Sequence, residues 1–85
     1  MLKVKDYIDN NENTKIRICG KETTSDIDPF CVTLWEGMSY DVPEKLMGYD
    51  VLNEGWLLDA QINSLEIFIK DWAHVWDLRE ELQAV

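Results

Sequence analysis

The sequence predicts a small α+β domain. It reads as one antiparallel four-stranded sheet with an N-terminal helix, a short helical turn in the middle and a C-terminal amphipathic helix, in the order α-β-β-α-β-β-α. Three observations lead there. Short runs alternate apolar and polar residues with the period of two that a half-buried strand requires, most clearly Leu65–Lys70, where Leu65, Ile67 and Ile69 share one side and Glu66, Phe68 and Lys70 the other. The closing stretch, Asp71–Val85, repeats with the helical period instead. The chain has 85 residues, 46% of them hydrophobic, which suits a single domain over 1–85 with one small core.

The elements follow in order. Residues 3–10 form a short helix, because Val4, Tyr7 and Ile8 fall at i, i+3 and i+4. Asn10 and Asn11 stop it, since short amides compete for backbone hydrogen bonds. Thr14–Cys19 is a first strand with Ile16 and Ile18 inward and Lys15 and Arg17 outward. A polar loop runs from Gly20 to about Pro29. Phe30–Glu36 is a second strand, rich in β-branched and aromatic residues and paired antiparallel with the first. Alternation puts Phe30, Val32 and Leu34 on one face and Cys31, Thr33 and Trp35 on the other, and Gly37 ends the strand. Asp41 caps one helical turn over Pro43–Met47, which Gly48 stops. Trp56–Ala60 and Leu65–Lys70 make a hairpin around Gln61–Ser64. Leu57 and Leu58 are both apolar, so the buried side of the first arm stays open. In the last helix, which Asp71 can cap, Val75, Leu78, Leu82 and Val85 cluster with Trp72 beside them, opposite Asp77, Glu80 and Glu81. The Arg79 stem lies along the apolar stripe. Helices covering one sheet face leave Phe68 and Trp35 as apolar groups on the other, where a second copy or a different partner can bind.

Charge narrows the function. Seventeen acidic residues against eight basic give a net charge of −9. Phosphate backbones and anionic membrane surfaces are therefore poor partners, and a protein with a basic surface is a good one. The same excess also suits an ordinary soluble domain. Cys19 and Cys31 cannot hold structural zinc alone, and the single histidine, His74, is far away in sequence. No metal or other cofactor is expected. No secretory leader or membrane-spanning run is evident, so the reading is cytoplasmic with both cysteines as thiols, a Cys19–Cys31 disulfide being the alternative.

No motif marks catalysis. His74 has no nucleophile at a recognised spacing, and there is no Gly-rich phosphate loop. Asp26-Ile27-Asp28 looks like part of a calcium loop but lacks the following glycine and the distal Glu, and Pro29 interrupts it. Attention falls instead on the acids from loops and strand ends, with two tryptophans. The candidate partner-binding residues are Glu22, Asp26, Asp28, Trp35, Glu36, Asp50, Glu54 and Trp76, and Asp41 and Glu44 belong to the same acidic set. Gathered on one side, such carboxylates can occupy a groove built for nucleic-acid phosphates, with Trp76 as an aromatic anchor. The alternative is a homo-oligomer that binds a small ligand such as a signalling nucleotide between subunits. Lys15, Arg17, Lys70 or Arg79 would then converge on phosphate.

Several short motifs carry a resemblance. Val4-Lys5-Asp6-Tyr7-Ile8, Lys15-Ile16-Arg17-Ile18, Leu34-Trp35-Glu36-Gly37, Val42-Pro43-Glu44-Lys45-Leu46 and the apolar Leu65–Ile69 follow one another in this order. In this the chain resembles small acidic phage and prophage accessory proteins that open with a V-K-D-L-I-like helix. The likeness covers about residues 3 to 70, and the helix over 71–85 is an addition to it. The resemblance implies a non-enzymatic inhibitor of host defence, anti-CRISPR proteins included, acting in a bacterial cell on a nucleic-acid-binding effector. It implies no site residues.

Overall fold

Val4–Asp9 form helix α1, with Val4 and Tyr7 buried and Ile8 half-buried. Its start is held by the Lys3 backbone N–H, which donates to Asp6 Oδ2 at 3.2 Å. Its end shows the amides competing as expected. Asn10 Nδ2 donates to the Asp6 carbonyl at 2.9 Å and Asn11 Nδ2 to the Tyr7 carbonyl at 2.8 Å. The computed structural model describes residues 2–21, 32–57, 61–69 and 72–83.

Four strands follow: β1 (Lys15–Lys21), β2 (Val32–Met38), β3 (Val51–Leu57) and β4 (Ile62–Phe68), with helix α2 (Trp72–Gln83) last. This is an α+β fold with one four-stranded sheet in the spatial order β2-β1-β4-β3. β1–β2 and β3–β4 are antiparallel, both as the sequence reading expects. The central β1–β4 pair is parallel, which corrects the expectation of an antiparallel sheet throughout. Alternation fixes which side of a strand is buried but not the direction of its neighbour. Between β2 and β3 the chain passes from one sheet edge to the other, so β4 enters beside β1 running the same way. Parallel pairs sit where burial is deepest, and here Ile16, Ile18, Leu65 and Ile67 are all fully buried.

One sheet face carries the core. Ile16 and Ile18 of β1 and Leu65 and Ile67 of β4 meet Val4 and Tyr7 of α1, Leu46, and Val75 and Leu78 of α2 in one cluster. α2 lies mainly over β2 and β1. α1 docks at the approach to β3, where the Val4 N–H donates to the Tyr49 carbonyl at 3.0 Å and the Val51 N–H to the Leu2 carbonyl at 2.8 Å. The opposite face carries Arg17, Cys19 and Lys21 along β1, with Ser64, Glu66 and Phe68 beside them on β4. Phe68 stands there as expected.

Trp35 does not. A bulge opposite Ile18/Cys19 shifts the phase of β2, so Trp35 pairs with Ile18 and joins Leu34 on the core side. One extra residue inverts every later alternation, which a period of two alone cannot foresee. β2 also runs past Gly37 to Met38. The hairpin register differs too. Asn63 and Ser64, read as turn residues, lie inside β4 opposite Trp56 and Gly55. The connector is two 3-10 turns, Ser39–Asp41 and Glu44–Leu46. Asp41 sits within the first and caps nothing, because Pro43 is the N-cap of the second. Gly48 has no left-handed backbone, so it stops that turn without using glycine's special freedom. Cys19 is buried with Sγ 3.9 Å from Thr33 Oγ1, and Cys31 lies outside the described residues.

Candidate interaction surface

α2 places its groups by helical spacing. Val75 and Leu78 point into the core, which leaves Asp77, Glu80 and Glu81 exposed and Trp76 42% exposed. Arg79, one turn on from Trp76, sets its guanidinium carbon 5.4 Å from the indole centroid. Its Nε is buried without a hydrogen-bond acceptor among the described residues. Stacking on the ring therefore orients this side chain, as a cation over a π face does. Glu81 meets Lys45 at 3.4 Å, which ties α2 to the second 3-10 turn. Asp77, Glu80 and the neighbouring Glu44 have no ion-pair partner among the described residues.

The carboxylates read from the sequence do not form one cluster. Glu36, on β2, faces away from the helices and meets Lys15 Nζ and Arg17 Nε, both at 3.7 Å. Asp50 pairs with Lys3 Nζ at 2.9 Å beside β3. Glu54 lies on β3, at the sheet edge opposite Glu36, three strand spacings or about 14 Å away. Glu22, Asp26 and Asp28 lie outside the described residues. Trp35 is half-buried against the core. Asp50 and Glu54 thus lie along one edge of the sheet, about 13 Å apart at the rise of an extended strand, while Glu36 and Trp76 stand apart from them.

A different grouping emerges by layer. The strands balance: Glu36, Glu54 and Glu66 against Lys15, Arg17 and Lys21. The helices, 3-10 turns and their links hold Asp6, Asp9, Glu12, Asp41, Glu44, Asp50, Asp77, Glu80 and Glu81 against only Lys3, Lys5, Lys45 and Arg79. The negative excess of the described residues therefore belongs to the helices, turns and links, not to the strands. Loop and helix positions supplied this surface, and the signal in the sequence was the acidic face of the closing helix.

A cleft of about 220 Å³ lies where α1 meets β3, lined by Tyr7, Glu54, Gly55, Trp56 and Asn63. A second bulge, between Val51 and Asn53, turns Glu54 and Trp56 to the helix side next to Tyr7. The sequence reading missed this cleft, because it began the strand at Trp56 and so placed neither the bulge nor Glu54. Burial, and then the Glu54 charge, push the Tyr7 hydroxyl above its ordinary value of 10.0. The folded state thus holds that proton more tightly than the unfolded chain. Its contribution is fully present below pH 10.0 and is lost as pH rises through the higher folded value. Chemical unfolding followed from neutral pH into this range is expected to show a steeper alkaline loss for the native chain than for Tyr7→Phe.

His74 is exposed, with Nε2 3.3 Å from the Tyr49 hydroxyl. Among the described residues, no three His, Cys, Asp or Glu side chains gather as a metal site. No described helix is long and apolar enough to cross a membrane. The cations that a shared phosphate site would need point apart. Lys15 and Arg17 meet Glu36 on the outer sheet face, Arg79 stacks on Trp76 on the helix side, and Lys70 lies outside the described residues.

Comparison with known proteins adds no relative. No family model, curated protein or solved structure matches this chain.

Proposed function

We propose that this chain is a non-enzymatic binding protein that engages a basic, nucleic-acid-handling protein through its acidic helix side, with Trp76 as the aromatic anchor. The observation that carries this reading is the segregation of charge. The strands are neutral in sum, while the helices, 3-10 turns and links hold the described excess of carboxylates, and α2 presents Asp77, Glu80 and Glu81 on the same helix as the exposed Trp76 indole. Such a surface attracts a partner built to hold phosphates, and steering by it is fast and salt-sensitive. The role is that of a phage- or mobile-element-type inhibitor of host defence, anti-CRISPR in kind, in the cytoplasm of a bacterial host. It uses no cofactor and touches neither nucleic acid nor membrane directly.

The test is competition. Labelled duplex DNA is bound to a panel of basic nucleic-acid-handling proteins, a Cas9-type nuclease with its positively charged channel included, and the chain is added at rising salt. Displacement that weakens as salt rises is expected. The double variant Asp77→Lys/Glu80→Lys is expected to lose about tenfold or more in competing affinity, and Trp76→Ala a similar factor. Both positions are solvent-facing, so folding is retained, and circular dichroism checks it. Competition insensitive to salt and to all three substitutions would falsify the reading.

A further inference from the structure

We infer that the cleft between α1 and β3 receives a single guanidinium or ammonium side chain from a basic protein partner. Its lining argues for that class. Glu54 supplies a carboxylate, Tyr7 a phenol oxygen, Asn63 an amide oxygen and Trp56 an aromatic ring, and no lysine or arginine contributes to the wall. Glu54 has no ion-pair partner among the described residues. Trp56 is 53% exposed at the rim, so its ring is available to a ligand.

Size and electrostatics agree. At about 220 Å³ the cleft is smaller than the roughly 300–1,000 Å³ typical of small-molecule pockets, and suits one side-chain head. The Glu54 charge acts on the Tyr7 hydroxyl with no cation in the wall to offset it. An arriving cation would supply that offset, gaining a carboxylate and a π face in one place.

This pocket rests on the reading of a basic partner only for the source of the cation, and it is testable on the isolated chain. The probes are N-acetyl-arginine amide and N-acetyl-lysine amide, with the neutral N-acetyl-citrulline amide as control. Binding is followed by amide NMR shifts at Gly55 and Asn63 and by Trp56 indole resonances. Saturable shifts with both cations, in the millimolar range, are expected, with citrulline silent. Glu54→Gln is expected to weaken them about tenfold and Trp56→Leu by several-fold, while Asp77→Lys/Glu80→Lys leaves them unchanged. No saturable shift, equal binding of citrulline, or indifference to Glu54→Gln each overturns the inference. Loss of the pocket with DNA competition intact would leave the α2 surface standing, and the reverse result would leave the pocket standing.

Discussion

Leu65→Ala is expected to lower the free energy of unfolding by about 3 kcal/mol, within the roughly 2–5 kcal/mol seen for such truncations in cores. Leu65 is fully buried in β4, opposite Ile18 of β1 on one side and Glu54 of β3 on the other. Its side chain fills the middle of the cluster where both helices meet the sheet. Close-packed surroundings relax only in part, so a cavity adds to the lost burial. A domain of this size has a total margin on the order of 4–13 kcal/mol, so the loss is a large share of it. Urea titration measures it as a lower midpoint with an unchanged slope. Phe68→Ala is the control. Phe68 lies three positions on, turned to the other face and 36% exposed, and its truncation is expected to cost less than half as much. Equal losses in the two variants would mean that the assignment of faces is wrong.

Gly20→Val is expected to cost about 1–3 kcal/mol, the range for overpacking. Gly20 sits in β1 under α2, and a Cβ there would stand 3.1 Å from Leu34 Cδ1, 3.2 Å from Ile69 Cδ1 and 3.3 Å from Val75 Cγ1. One methyl group asks those three side-chain ends to yield by a few tenths of an ångström. The two further methyls of valine have no such slack, and relief comes only from lifting α2. Gly20→Ala separates the effects. The backbone here is not left-handed, so alanine gains about 0.5–1 kcal/mol from reduced chain entropy and offsets its own crowding. Near-neutral alanine beside costly valine, with a changed near-ultraviolet tryptophan signal only for valine, is the expected pattern. Two equally stable variants would contradict the close approach of α2 to β1.

The sequence carried local patterns well and long-range ones poorly. α1 was legible because Val4, Tyr7 and Ile8 repeat at helical spacing and two asparagines follow. Ile16 and Ile18 declared their face, as did Val75 and Leu78. Trp35 was put on the wrong face and Glu54 on none, because each lies near a bulge that resets the alternation. The parallel β1–β4 pairing was hidden for another reason. Ile18 and Leu65 are distant in the chain, and no local signal specifies which way a neighbour runs. The candidate surface was half legible. The acids of α2 could be put on one side from sequence, whereas the separation of Glu36 from Glu54 needed the strand order.

That strand order has a kinetic consequence. Each edge strand is joined to its neighbour by local contacts, so each hairpin can close early. The seam between the two halves joins the first strand to the last, and its loop-closure entropy is met only when nearly the whole sequence is present. During synthesis the apolar side of β1 therefore waits, without its mate, until β4 has left the ribosome. A nascent chain stopped before Ile62 holds the most buried side chains of the first hairpin without β4 and α2 to complete their cover.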